Sequence, residues 1–257
     1  METRAKQRVD EIRKMLERHD FLTVEKLSET FGVTRQTIRR DLKSLTERGI
    51  ARRRHGGIGR LVLTKNQAYG TRQVLHSEAK YQIAQEVATQ VPDGSTLAFS
   101  IGTTPEITAQ GLLQHKDLRI ITNNLNIAMC MSVNPGFDIT IAGGRIRNDD
   151  RDILGPSVEA LFSAYKVDIG IFGVAGVDEE GTLLDFDEQE VITRQTIVDN
   201  CRLSYLVLDH SKFTRKAHVR GGFIGDVDKV FCDQPLPKQI SERIGSSGPE
   251  IIVAGQV

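Results

Sequence analysis

Nowhere in these 257 residues is there an apolar run of the ~18 residues that a membrane-spanning helix needs, so no membrane is expected among the partners. The N-terminus is charged and amphipathic from the start and lacks the pattern of a secretory signal, which leads us to expect a cytoplasmic protein. Cysteine is scarce: Cys130, Cys201 and Cys232 are odd in number, far apart and never in a Cys-x-x-Cys pair. That argues against a disulfide framework and offers no zinc-ligand spacing. The three read as small core residues, and neither a metal nor a cofactor is expected. Internal repeats and low-complexity tracts are missing too.

Net charge is also absent, with 34 Lys and Arg against 34 Asp and Glu, but the balance hides two unlike halves. Residues 1 to 60 hold 16 Lys and Arg against 9 Asp and Glu, or +7, which leaves 18 against 25, or −7, for the rest. Only the first part carries the charge that phosphate binding needs. The chain is long enough for a DNA-binding module of ~60 residues and one further core of ordinary domain size.

What is present begins with Thr34 to Leu45, Thr-Arg-Gln-Thr-Ile-Arg-Arg-Asp-Leu-Lys-Ser-Leu. Thr34 suits an N-cap, and Ile38, Leu42 and Leu45 recur at i, i+4 and i+7, on one face to be buried. Arg35, Gln36, Arg39, Arg40 and Lys43 fall on the other side, with Thr37 in the first turn. Arginine pairs with guanine O6/N7 and glutamine with adenine N6/N7, so this is the chemistry of a DNA recognition helix. Alone it would read as a basic solvated face. Upstream, however, Thr23 suits the cap of a helix with Val24, Leu27, Ser28 and Phe31 inward and Gly32 as its stop, which is helix-turn-helix spacing. Val9, Ile12, Met15, Leu16 and His19 repeat with helical period and supply a third packing partner. Downstream, Gly49 is read as the end of the recognition helix, and Ile50 to Ile58 as a basic wing folding back at Gly56-Gly57. Arg52, Arg53, Arg54 and His55 there suit phosphate or minor-groove contacts.

Arg8, Ile12 and Leu16, then Gly32-Val33-Thr34, Thr37-Ile38-Arg39-Arg40-Asp41-Leu42 and His55-Gly56-Gly57 together resemble the DeoR-type bacterial transcriptional regulators. The resemblance implies that this helix enters the major groove of double-stranded operator DNA and that Arg39 and Arg40 hold the duplex.

Gly59 to His76 has weak periodicity and reads as a linker. Ser77 is then read as capping a helix with Ile83, Ala84, Val87, Ala88 and Val91 inward, ended by Pro92-Asp93-Gly94. Short apolar strands follow at 97–101, 118–121, 137–142, 167–174, 205–208 and 229–232, separated by helices that include ones near 158–164 and 189–200. Strands that are apolar along their whole length and alternate with helices predict a parallel sheet covered on both faces, a doubly wound α/β fold.

Ligands of such sheets bind at the carboxyl ends of the strands. Ser100-Ile101-Gly102-Thr103-Thr104-Pro105-Glu106 is the most informative of these ends. With Thr104 as N-cap and Pro105 at N1, the helix would start with free N–H groups and its positive dipole end at the sheet edge, a phosphate cradle. The plainer alternative is a strand-to-helix turn with no ligand. Asn123 and Asn124 end the next strand with groups that both donate and accept. Gly143-Gly144-Arg145 adds flexible backbone and a cation, Gly173 to Gly176 ends a further strand, and each reads equally as a turn. Asp209-His210-Ser211-Lys212 brings an ammonium to the same edge, where it could meet a phosphate.

This half resembles the effector domain of the same family, which is similar in fold to ribose-5-phosphate isomerase, through Gly102-Thr103-Thr104, Thr122-Asn123-Asn124, Gly143-Gly144, Gly173 to Gly176 and Asp209 to Lys212. Ile101 to Glu106, Thr122 to Asn126, Phe186-Asp187 and Asp209 to Phe213 resemble family members that respond to glycerol 3-phosphate. That implies a small phosphorylated effector, glycerol 3-phosphate, and a homo-oligomeric repressor, with other phosphorylated sugars or polyols as the alternative. An enzyme is the rival class. The isomerase carries Asp-Gly-Ala-Asp, whose acids transfer protons, where this chain has Phe172-Gly173-Val174-Ala175-Gly176. Acid-base chemistry needs a titratable group within reach of the proton, so binding without turnover is expected. Asp187-Glu188-Gln189-Glu190 replaces the isomerase's Gly-rich loop, and Glu190 is placed either to accept from ligand hydroxyls or to cap its helix. A second domain that only oligomerises is a third possibility. The expected organisation is a winged helix-turn-helix over 1–58, a linker over 59–76, and a larger doubly wound α/β effector and oligomerisation domain over 77–257.

Overall fold

The computed structural model describes residues 2–19, 21–47, 51–60 and 69–255. The chain divides into two compact units, Met1–Leu63 and Thr64–Val257. In the first unit, α1 (Glu2–Arg18), β1 (Phe21–Thr23), α2 (Val24–Phe31), α3 (Arg35–Glu47), β2 (Ala51–Arg54) and β3 (Gly57–Arg60) follow in order. One aliphatic cluster holds them: Ile12 and Leu16 of α1, Leu27 of α2, Ile38 and Leu45 of α3 and Ile58 of β3 are all buried. His19 falls beyond the end of α1 and is exposed, so the apolar repeat stops at Leu16. The turn between the helices is built as the spacing predicted. The Thr23 hydroxyl accepts from the Lys26 N–H, and Gly32 ends α2 in the left-handed conformation at φ 60° that glycine adopts without a Cβ penalty. Thr34 then accepts from the Thr37 N–H at 3.2 Å and caps α3.

The wing is a three-stranded antiparallel sheet in the order β1-β3-β2. It reaches Arg60, two residues beyond the expected boundary, because Arg52 and Ala51 continue to pair with Gly59 and Arg60. Gly57 must be glycine, since a Cβ there would run into the Leu22 carbonyl of β1. The expected helix stop at Gly49 lies outside the described residues.

The second unit contains α4 (Tyr69–Val74), α5 (Ser77–Gln90), β4 (Thr96–Phe99), α6 (Thr103–Gly111), β5 (Arg119–Thr122), α7 (Leu125–Met131), β6 (Asp138–Ile141), β7 (Ile146–Arg147), β8 (Asp152–Ile153) and α8 (Pro156–Ser163). It continues with β9 (Val167–Phe172), β10 (Gly176–Val177), β11 (Thr182–Asp185), α9 (Glu188–Asp199), β12 (Cys201–Val207), β13 (Val219–Phe223), β14 (Lys229–Cys232), α10 (Lys238–Ile244) and β15 (Glu250–Val253). The stretch expected to be a linker therefore holds the end of β3 and a helix, α4. Ser77 is the first residue of α5 rather than its cap; His76 takes the cap position at φ 53° with no side-chain cap bond.

Seven strands form one parallel sheet in the order β15-β14-β12-β9-β4-β5-β6. The two-residue period divides its side chains between the faces. Leu97, Phe99, Ile169, Ile171, Tyr205, Val207 and Phe231 join Ile83 and Val87 of α5 and Ile127 and Met131 of α7. Ala98 and Ile121 face α8 and α9 through Val158, Phe162 and Ile197, while Phe172, Leu206, Val230 and Cys232 face α10. Both faces are covered, as the unbroken apolar strands predicted. The small antiparallel sheet β10-β11-β13, the hairpin β7-β8 and the edge strand β15 are additions. Strands β7, β8 and β10 have two residues each, too few to show a period. Cys201 and Cys232 are buried and Cys130 partly so, all as free thiols.

The strand order fixes where a ligand belongs. From β4 the chain steps one way to β5 and β6, then returns to the other side of β4 with β9 and continues outward. The crevice between the carboxyl ends of β4 and β9 is thus the switch point of the sheet, where open α/β sheets bind ligands.

Candidate functional site

A cleft of about 480 Å3, its open mouth included, lies at that switch point. Its floor is the turn after β4 (Ile101 to Pro105), the end of β9 (Gly173 to Ala175) and Val207 of β12, and its polar walls are Arg72, Asp150, Asp185, Glu190, Lys212 and Arg215.

The β4–α6 turn differs from the expected cap. Gly102, not Thr104, is the N-cap, at φ 126° and ψ 155°, a conformation that side chains rarely adopt, and Thr103 and Thr104 are already helical. The first intrahelical bond runs from the Glu106 N–H to the Gly102 carbonyl, and Pro105 has no N–H. The N–H groups of Thr103 and Thr104 therefore start the helix without intrahelical acceptors. Both residues are buried against the cleft, so the oriented donors of an anion site are present although the capping hydroxyl is not.

Lys212 comes from the 3-10 turn after β12, which Asp209 starts by accepting from the Ser211 N–H at 3.0 Å. Among the described residues its ammonium has no hydrogen-bond or salt-bridge partner. Burial first, and then the neighbouring Arg215, push its pKa down to about 7. Arg215, one 3-10 turn further on and stacked over the Phe186 ring at 5.5 Å, is lowered to about 10, by burial and then Arg72. Gly176 does not line the cleft. A Cβ there would strike the Arg215 carbonyl, so this glycine lets the loop with Lys212 and Arg215 pack close.

The three acids of the cleft are committed to cations. Asp150 pairs with Arg72. Asp185 accepts from Arg194 at 2.9 Å and from the Ala175 N–H at 2.9 Å. Glu190 accepts from Arg147 at 2.9 Å, and Arg147 also holds the fully buried Asp152 at 2.7 Å. Burial opposes the charge of Arg147, but Asp152 and Glu190 outweigh it and raise its pKa. Burial, followed by Asp185, raises that of Glu190. With these acids neutralised, the cleft presents an anion with two N–H donors, Lys212 and Arg215.

Of the residues expected at the site, Gly102, Thr103, Thr104, Gly173, Glu190 and Lys212 line the cleft. The others do not. Asn123 is fully buried and donates to the Ile153 carbonyl at 2.7 Å; Asn124 caps α7 by accepting from the Asn126 and Ile127 N–H groups. Gly144 and Arg145 are exposed on the way into the β7–β8 hairpin, where the cation that matters is Arg147 two residues later. Arg72, Asp150, Asp185 and Arg215 were not expected. Arg215 was within reach, because residues three apart are eclipsed in a 3-10 turn and it follows Lys212 by three.

Among the described residues one cluster has ligand atoms at metal-binding range: His76, Asp209 and His210 each offer one, all within 4.8 Å of one another. Asp233 orients His210 through Nδ1 at 2.5 Å, as carboxylates orient metal-bound imidazoles. The surroundings are cationic, however. Burial pushes the Asp209 pKa upward but is outweighed by Lys212, His76, the Ser211 hydrogen bond and Lys80, so it ends lowered. A carboxylate already serving that many positive groups is a poor host for a divalent ion.

In the first unit the basic face of α3 is open. Thr34, Arg35, Gln36, Arg39, Arg40 and Lys43 are exposed, as are Arg52, Arg53, Arg54 and His55 of the wing. The Thr34 and Thr37 hydroxyls lie 3.0 Å apart and serve the helix entry. Asp41 is not on this face; it accepts from Arg8 Nε at 2.6 Å and Nη2 at 3.2 Å and ties α3 to α1.

Residues 8–62 match the DeoR-like helix-turn-helix domain and residues 75–234 the DeoR C-terminal sensor domain. The chain belongs to the DeoR family. Its DeoR relatives include the glycerol-3-phosphate regulon repressor of Escherichia coli (strain K12), 42% identical over 236 residues, covering 92% of this chain and 94% of that protein. The protein of the same name from Haemophilus influenzae is 43% identical over 224 residues, covering 87% and 88%. Both are named as regulators rather than enzymes. Among solved structures, ribose 5-phosphate isomerase A from Methanocaldococcus jannaschii overlays 55% of this DeoR chain and 56% of its own, with 16% identity and a TM-score of 0.40. No described helix is long and apolar enough to cross a membrane.

Proposed function

We propose that this DeoR protein is a cytoplasmic, homo-oligomeric transcriptional repressor that binds operator DNA through α3 and the wing and is released by glycerol 3-phosphate bound in the cleft. The observation that carries the reading is the cleft: the helix start at Thr103 and Thr104 lines it together with Lys212 and Arg215 at the sheet's switch point, and each acid of its lining already has a cation. A phosphate dianion satisfies these donors, whereas uncharged glycerol brings only hydroxyls. The relatives named glycerol-3-phosphate regulon repressor support the choice of ester. On the DNA side, Arg39, Arg40 and Lys43 with Arg53, Arg54 and His55 supply phosphate contacts, and Arg35 and Gln36 near the start of α3 reach base edges.

Calorimetry tests the effector: glycerol 3-phosphate is expected to bind with a Kd at least tenfold below that of glycerol or inorganic phosphate. Operator titrations with and without it are expected to show weaker DNA binding when it is present, and equal operator affinity in both would overturn the reading.

A further inference from the structure

Helix α4 is six residues long, well short of what an isolated helix needs to persist, so its partners hold it. The partners are unusual for a segment whose sequence reads as a linker. The Tyr69 hydroxyl bonds Glu106 of α6 and accepts from Asn126 of α7 at 2.8 Å. Arg72 pairs with Asp150, and both are buried and line the effector cleft. Lys80, 3% exposed, donates to the carbonyls of Arg72 and, at 2.6 Å, Leu75, closing the helix end. Arg72 and Arg151 both lie 5.8 Å from the Tyr69 ring centroid.

Two further facts tie α4 to the anion-binding helix in space and to the DNA-binding unit along the chain. Glu106 is on the first turn of the helix whose N–H groups form the anion site. Only residues 61–68 separate the last wing strand from α4.

We propose that Asp150 and the effector's phosphate compete for Arg72, so that α4 is a strap that holds the operator-competent arrangement when Arg72 is on Asp150 and yields it when the anion takes Arg72. The proposal rests on the reading of the cleft as the effector site. Guanidinium forks fit carboxylate and phosphate alike, and a dianion beside Lys212 and Arg215 is well placed to draw Arg72 from its acid. Coupling requires a ligand that interacts differently with two arrangements, and a shared guanidinium provides that difference.

Removing the competitor should imitate the effector. Asp150→Asn is expected to lower operator affinity at least tenfold with no ligand added and to tighten glycerol 3-phosphate binding at least threefold. Tyr69→Phe, which loosens the strap while keeping both Arg72 and Asp150, serves as the second variant, with a loss of operator affinity of at least fivefold; it decides the matter if Asp150→Asn does not melt cooperatively. Operator affinity within twofold of the wild type in a folded variant overturns the proposal. The DNA arm needs no effector. Should glycerol 3-phosphate bind neither wild type nor variant, the effector assignment falls, while the strap still stands or falls on operator affinity alone.

Discussion

Arg39 and Arg40 stand exposed on a helix whose other face is Ile38, Leu42 and Leu45, over an aliphatic core beside which the one buried ion pair among the described residues is Arg8–Asp41. Arg72 of the second unit is buried and Lys212 and Arg215 are partly buried, among acids that each have a cation of their own. In the first unit the DNA-facing charge is separate from stability, because Arg39, Arg40 and the wing arginines are exposed to water in the free protein and none of them holds the core. In the second, the groups that would hold a ligand also belong to the buried electrostatic frame. Substitutions should therefore affect function alone in one unit, and function together with stability in the other.

The largest expected effect is on the frame. Arg194→Met leaves Asp185 buried without its cation, and breaking a buried pair from one side costs about 3 to 5 kcal/mol. Denaturant unfolding measures it, and a loss under about 1 kcal/mol would erase the contrast between the units. Next comes the double substitution Arg39→Ala with Arg40→Ala. Operator affinity is expected to fall by about a hundredfold at physiological salt, with a flatter salt dependence, while the melting temperature and glycerol 3-phosphate binding stay unchanged. A melting temperature that shifts with DNA affinity would show that the surface is not separable.

Lys212→Met sharpens the comparison from the other side, because it should weaken glycerol 3-phosphate binding at least tenfold and yet stabilise the fold. The folded protein holds this ammonium near pKa 7 against 10.5 for an ordinary lysine. Between those values the unfolded chain binds the extra proton, so wild-type stability rises with pH there and the full cost is felt below about 7. The variant is expected to gain on the order of 2 kcal/mol at pH 6 and little near pH 10, which unfolding at both pH values checks. The same titration shapes binding. A phosphate ester gains its second charge near pH ~6 and Lys212 loses its own near 7, so affinity is expected to peak between them and decline above, as calorimetry across that range would show.

The smallest effect falls on sequence preference. Gln36→Ala is expected to change total operator affinity only a few fold while relaxing base choice at one position, each good bidentate base contact being worth about 1 to 3 kcal/mol of discrimination. Selection from a randomised operator library reads this directly, and an unchanged preference at every position would count against Gln36 as a base reader.

The first unit was legible almost residue by residue, because its information is local. Helical period placed Ile38, Leu42 and Leu45 inward, Thr23, Gly32 and Thr34 set the helix limits, and what remained on α3 was the exposed basic face. In the second unit apolar strands announced the parallel sheet, and polar strand ends found Gly102 to Thr104, Gly173 and Lys212 at its edge. Asn124 and Arg145 were misplaced because capping amides and turn cations have the same composition as ligand groups, and only burial and direction separate them. The sequence alone thus determined the helices of the DNA-binding unit, the apolar strands at the centre of the main sheet and which of their ends are polar, since periodicity and capping act over a few residues. Tertiary structure alone decided that Arg72, Asp150, Asp185 and Arg215 meet Lys212 in one cleft. Strand order sets those neighbours, and the cost of burying a charge makes each acid take a cation from a distant part of the chain.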